Sequence, residues 1–225
     1  MTTFALLGSP FLGPEVWEPV AGRLAGAGHD VVVLAGRGSS PEEVGLSFAA
    51  GLPDDDELVL VPHSNAGLYV AGIVAARPVG AAVFVDAVYP GPGRTTPVSP
   101  PELVEELADR VDEDGLLPPW TRWWPDAEVD ALFPDETVRA SVVAGEPRVP
   151  ASYVSSRVVT PPGWESVRGA YLAFGETYAL EVDLAQEWKW PVVGLEGGHL
   201  HMLVDPDGVA GAIAQLAARA GTGRD

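Results

Sequence analysis

Six short apolar runs punctuate the chain, at residues 4–7, 31–34, 58–61, 82–85, 170–174 and 191–195. They do not alternate with polar positions, and they favour β-branched residues, as in Val31-Val32-Val33-Leu34. Strands covered on both faces read this way. Between them the periodicity predicts helices over 15–27, 41–50, 66–76, 180–188 and 207–218. Such strand–helix alternation builds βαβ units around a mostly parallel sheet. The expectation is a single α/β domain over residues 1–225, with about six strands flanked by helices.

The alternation breaks at about residues 90–167. Proline, tryptophan and acidic residues crowd this stretch, as in Pro118-Pro119-Trp120 and Trp123-Trp124-Pro125. A structureless loop of that length is out of place in a compact domain. The stretch is expected to be a helical insertion that folds over the sheet edge as a cap. Six of the seven tryptophans lie beyond residue 118, and Trp120, Trp123 and Trp124 are candidates for an aromatic substrate pocket. The alternative for each is packing of the cap on the sheet. Trp123 and Trp124 are neighbours and are not expected to face the same way.

Composition narrows the chemistry. There is no cysteine among the 225 residues, which excludes disulfides, zinc–thiolate sites and a thiol nucleophile. The net charge of −19, with Lys189 as the single lysine, repels a phosphate backbone and an anionic membrane surface, so neither nucleic acid nor membrane is an expected partner. No apolar run approaches the roughly 20 residues that span a bilayer, and the first residues carry no basic leader pattern. A cytoplasmic location is the default expectation. No phosphate loop, dinucleotide fingerprint or metal-ligand cluster is visible, so no cofactor is expected; Gly36-Arg37-Gly38 reads as a loop.

The run at 58–61 leads into Pro62-His63-Ser64-Asn65-Ala66-Gly67 and then a helical pattern. A serine thus stands at the apex of a strand–turn–helix, where small neighbours let the two backbones approach. This resembles the G-x-S-x-G nucleophile elbow of α/β-hydrolases, with Pro62 and Ala66 in the places of the two glycines. An ordinary turn is the alternative. A serine hydroxyl is a poor nucleophile unless a base lies within reach and donors await the developing oxyanion. Gly198-His199, followed by Leu203 and Pro206, resembles the histidine loop of the same superfamily and selects His199 over His201 as the base. His63 is expected to point away from Ser64 and pack.

The acid departs from the commonest layout of that superfamily. The loop after the penultimate strand reads Gly175-Glu176-Thr177-Tyr178, with a tyrosine where the carboxylate is expected. Asp86 ends the strand after the elbow helix, and the string around it resembles that of haloalkane dehalogenases and lipases that carry their acid there. Glu176 is the other candidate, and a Ser–His dyad the third. The resemblance also places an oxyanion hole at the backbone N–H groups of Ser9 and Asn65, with Leu7 standing where relatives have histidine.

The resemblance covers roughly residues 1–90 and 168–220. It implies an α/β-hydrolase fold and a serine hydrolase that cleaves a carboxylic ester, lactone or thioester through an acyl-serine. The expected partner is a small, mostly apolar substrate that is uncharged or cationic. Fold alone does not fix chemistry. Two alternatives stay open: a lyase, dehydratase or cyclase using His199 without an acyl intermediate, and a binding protein with degenerate chemistry.

Overall fold

The computed structural model describes residues 1–221. Strands β1 (Thr3–Gly8), β2 (Asp30–Ala35), β3 (Val59–Ser64), β4 (Ala81–Ala87), β7 (Gly169–Phe174) and β8 (Val192–Leu195) form a six-stranded sheet in the order β2-β1-β3-β4-β7-β8. Every neighbouring pair in it is parallel. All six coincide with the apolar runs, because a strand covered on both faces must be apolar along its whole length. Every residue of β3, β4 and β7 is buried. The sheet reverses its winding next to β1 and β3, and ligands in such sheets bind outside the carboxyl ends of the strands.

Helices cover both faces. α1 (Glu18–Gly26) packs on α10 (Pro206–Gly221), and α2 (Pro41–Gly51) packs on α3 (Val70–Ala76). α8 (Ala179–Glu187) packs between β7 and β8. Local chemistry sets their starts. Ser40 accepts a hydrogen bond from the Glu43 N–H at 3.3 Å, while Glu43 reaches back to the Ser39 N–H at 2.7 Å. Asp205 accepts from the Gly208 N–H at 2.9 Å ahead of the last helix. Both satisfy donors that a helix start leaves orphaned. Two predicted helices begin differently. Residues 14–16 form a separate 3₁₀ turn before α1, and Asn65–Tyr69 form another before α3.

Pro62 does not end its strand. β3 runs on through His63 to Ser64, with Pro62 paired to Leu7 of β1. The missing N–H is tolerated because pairing with β4 has a gap at Val61 and Pro62, and the register shifts at Ser64.

The segment between β4 and β7 is not purely helical. It holds α4 (Pro101–Leu107), α5 (Asp126–Asp130), α6 (Glu136–Gly145) and α7 (Ala151–Val154), but also an antiparallel ribbon of β5 (Thr95–Pro97) and β6 (Arg157–Val159). Hydroxyls knit this ribbon: Thr96 bonds to Thr160 at 2.8 Å and accepts from the Gly91 N–H at 2.7 Å. Short β-branched tripeptides far apart in sequence carry no periodicity by which to be seen. The remaining helix, α9 (His201–Val204), follows the histidine loop.

Candidate active site

Ser64 sits at the carboxyl end of β3 with φ 56° and ψ −128°. Side-chain-bearing residues rarely adopt this conformation, which costs about 1–3 kcal/mol and persists only where the surroundings force it. The forcing is visible at Gly67, where a methyl group would run into the Val88 carbonyl. The elbow therefore closes onto the chain leaving β4, and the Val88 N–H donates to the Ser64 carbonyl at 3.2 Å.

Asp86 lies at the end of β4, also at positive φ (42°) and wholly buried. The phenol of Tyr171 braces the next residue from both sides. It accepts from the Ala87 N–H at 3.0 Å and donates to the Ala87 carbonyl at 2.9 Å. Asp86 Oδ1 accepts from the Phe174 N–H at 3.0 Å, and Oδ2 meets His199 Nδ1 at 2.6 Å. The bond at Nδ1 assigns the proton to that nitrogen and leaves Nε2 as an acceptor. Glu176 stands exposed on the turn after β7. His201 turns onto the Phe174 ring instead, at 5.4 Å.

The His199 ring is held in an aromatic slot. Its centroid lies 4.5 Å from that of His63, 5.7 Å from Tyr178 and 5.9 Å from Trp120. His63 is buried, but it does more than fill space. Its Nε2 donates to the His199 carbonyl at 3.0 Å, tying the elbow to the histidine loop. Burial, then the neighbouring His199, pushes His63 well below the ordinary histidine value, so the ring is neutral near pH 7.

Ser64 and His199 border one cavity of about 420 Å³, but no hydrogen bond joins them. Tyr178 borders the same cavity, its hydroxyl close enough to the Ser64 side chain to be influenced by it. Bonds between nucleophile and base are often long in empty sites and tighten when substrate binds. Burial raises the Tyr178 phenol above its ordinary value, with the nearby Ser64 hydroxyl opposing.

On the oxyanion side, Asn65 opens a 3₁₀ turn, so its N–H lies among the donors a helix start leaves free. Its side chain is committed elsewhere: Nδ2 donates to the Val98 carbonyl at 2.7 Å and Oδ1 accepts from Tyr153 at 3.2 Å. Ser9 is fully buried just past β1, and its hydroxyl accepts from the Phe11 N–H at 3.4 Å. Phe11, two residues on, is the member of this turn that borders the cavity.

The inserted segment closes the cavity from above. Trp120, Trp123, Trp124, Val129 and Leu132 all line it. Both neighbouring tryptophans do so, against the expectation from sequence, because the chain there is a 3₁₀ turn followed by a bend and not an extended strand. Trp123 also packs on Phe11 at 4.9 Å and donates from Nε1 to the Pro118 carbonyl at 2.8 Å. Trp164, Trp188 and Trp190 lie elsewhere, clustered around Tyr89. Among the described residues, no group of three or more His, Asp or Glu is placed to hold a metal ion, and no helix is long and apolar enough to cross a membrane.

No protein-family model matches the chain, and neither does any curated protein sequence. Solved structures do. An extracellular α/β-hydrolase from a Paenibacillus species, described as sharing structural and functional homology with tobacco salicylic acid binding protein 2, superposes with a TM-score of 0.75 at 18% identity, covering 99% of this chain and 100% of that one. A variant of tomato methylketone synthase I complexed with β-ketoheptanoate gives 0.71 at 18% identity, covering 97% and 98%. A pyrethroid hydrolase from Sphingobium faniae gives 0.69 at 19% identity, covering 96% and 97%. Over nearly its whole length, the chain has the α/β-hydrolase fold.

Proposed function

We propose that this protein is a serine hydrolase that cleaves an ester, lactone or thioester of a small apolar molecule through an acyl-serine. The observation that carries the reading is the 2.6 Å bond between His199 and Asp86, made beside a serine held at an elbow in the same cavity. The bond orients the imidazole and would stabilise its charged form. His199 Nε2 takes the Ser64 proton as Oγ attacks the acyl carbon. The Asn65 and Ser9 N–H groups receive the oxyanion, and Nε2 then returns the proton to the departing oxygen or sulfur. Water repeats the sequence on the acyl-enzyme. The cavity wall supports a neutral, apolar substrate, since Phe11, Val98, Leu103 and the three tryptophans make up much of it. A net charge of −19 would slow the approach of an anion.

One observation favours a second reading. His199 is bonded to Asp86 and makes no hydrogen bond to Ser64, as fits His199 acting alone as acid and base in a lyase or cyclase. A fluorophosphonate probe and a panel of acyl esters separate the two. Under the hydrolase reading the probe forms an adduct on Ser64, and Ser64→Ala lowers turnover about 10³–10⁶-fold. Undiminished turnover in Ser64→Ala would overturn it in favour of the second.

A further inference from the structure

We propose that Tyr178 is a catalytic hydrogen-bond donor that serves the leaving group. The inference rests on the acyl-serine reading and adds to it. Because Asp86 already holds His199 Nδ1, the loop after β7 is released from supplying the acid, and Tyr178 occupies its rim. Gly175, at φ 67°, turns the chain there, and Tyr178 stands at the entry to α8. Its ring lies against the His199 ring at 5.7 Å, its side chain borders the cavity that Ser64 and His199 also line, and its hydroxyl stands near the Ser64 side chain.

The sheet order says which substrate oxygen it can serve. Ser64 ends β3, with β1 on one side and β4, then β7, on the other. The turn after β1 and the Asn65 N–H supply the oxyanion side. Tyr178 comes from the β7 side, next to the imidazole that returns the proton. Its O–H is available to the departing oxygen once Ser64 Oγ has bonded to the acyl carbon. In that step the bond from Ser64 Oγ to carbon forms and its proton moves to His199 Nε2. The carbon–oxygen bond to the leaving group then breaks, and the Nε2 proton follows that oxygen. Tyr178 transfers no proton. Its O–H stabilises the negative charge that builds before the proton arrives. Burial keeps the phenol protonated across the neutral range, so it remains a donor throughout.

The test is a set of aryl alkylphosphonate esters whose leaving groups run from 4-nitrophenol to phenol, with inactivation rates measured for wild type, Tyr178→Phe and Ser64→Ala. A good leaving group needs little help, so the wild-type to Tyr178→Phe ratio should lie near unity with 4-nitrophenol. It should rise to about tenfold or more with phenol, the worth of one hydrogen bond to a charged oxygen. A ratio constant across the series, including a uniform loss from a displaced Ser64 rotamer, overturns the inference and leaves the acyl-serine reading standing. Wild type left unlabelled by every ester, or Ser64→Ala labelled as fast as wild type, overturns both. Since Phe keeps the ring against His199, equal melting temperatures of wild type and Tyr178→Phe are expected alongside.

Discussion

The floor and the roof of the cavity are built on different terms. The floor is the carboxyl edge of a parallel sheet, where Ser64 and Asp86 end neighbouring strands in strained backbone conformations, each tied down by main-chain or phenolic hydrogen bonds. The roof is the segment between β4 and β7. It reaches the cavity with broad apolar side chains from short turns, and its tryptophans contribute area more than direction. The comparison teaches a division of labour. Damage to the floor should remove rate, and damage to the roof should remove stability or affinity.

After Ser64 itself, the largest effect expected is at Asp86. Changing it to Asn keeps the shape but loses the charge that orients and stabilises the imidazole, and turnover should fall about 10⁴-fold with KM little changed. Steady-state kinetics on any ester found in the panel checks this, and a rise in KM without loss of kcat would break the division. Next comes Trp123, buried against Phe11 and anchored through Nε1. Trp123→Ala should cost about 3–5 kcal/mol in urea unfolding, the usual price of a core tryptophan. An unchanged midpoint would mean that the roof is not part of the cooperative core.

The smallest effect concerns His63, which belongs to the floor but acts through pH. The folded chain holds it neutral, whereas in the unfolded chain it takes up a proton near pH 6.5. Below that pH the unfolded state binds more protons, so stability should fall as pH drops from about 6.5 toward the depressed folded value. The slope contributed is at most about 1.4 kcal/mol per pH unit. His63→Gln can still donate to the His199 carbonyl but cannot titrate. The difference between the two unfolding profiles over pH 7 to 5 isolates the contribution, and identical profiles would contradict it.

The same contrast explains what could be read from sequence. Strands buried on both faces must be continuous apolar runs, so the sheet was legible. Ser64, Asp86 and His199 each end or follow such a strand, so their convergence at one rim was legible as well. What escaped depends on contacts across long separations. Nothing local marks Tyr171 as the brace of Ala87, 84 residues away. His63 shows its tie to the His199 carbonyl only when the two loops meet. Tyr178 was visible as a departure from the expected acid, but the packing of its ring on His199 was not. In the roof, the paired hydroxyls of Thr96 and Thr160 have no signature along the chain.

The roof leaves the sheet from the end of β4 and returns at the start of β7, and those two strands are adjacent. Its two attachment points are thus neighbours on the rim rather than opposite corners of the molecule. A loop whose ends share one doorway can be lengthened, trimmed or exchanged at a closure cost that grows only slowly with length. Chimeras that transplant this stretch between scaffolds of the same strand order should keep the rim geometry and change which molecules are admitted.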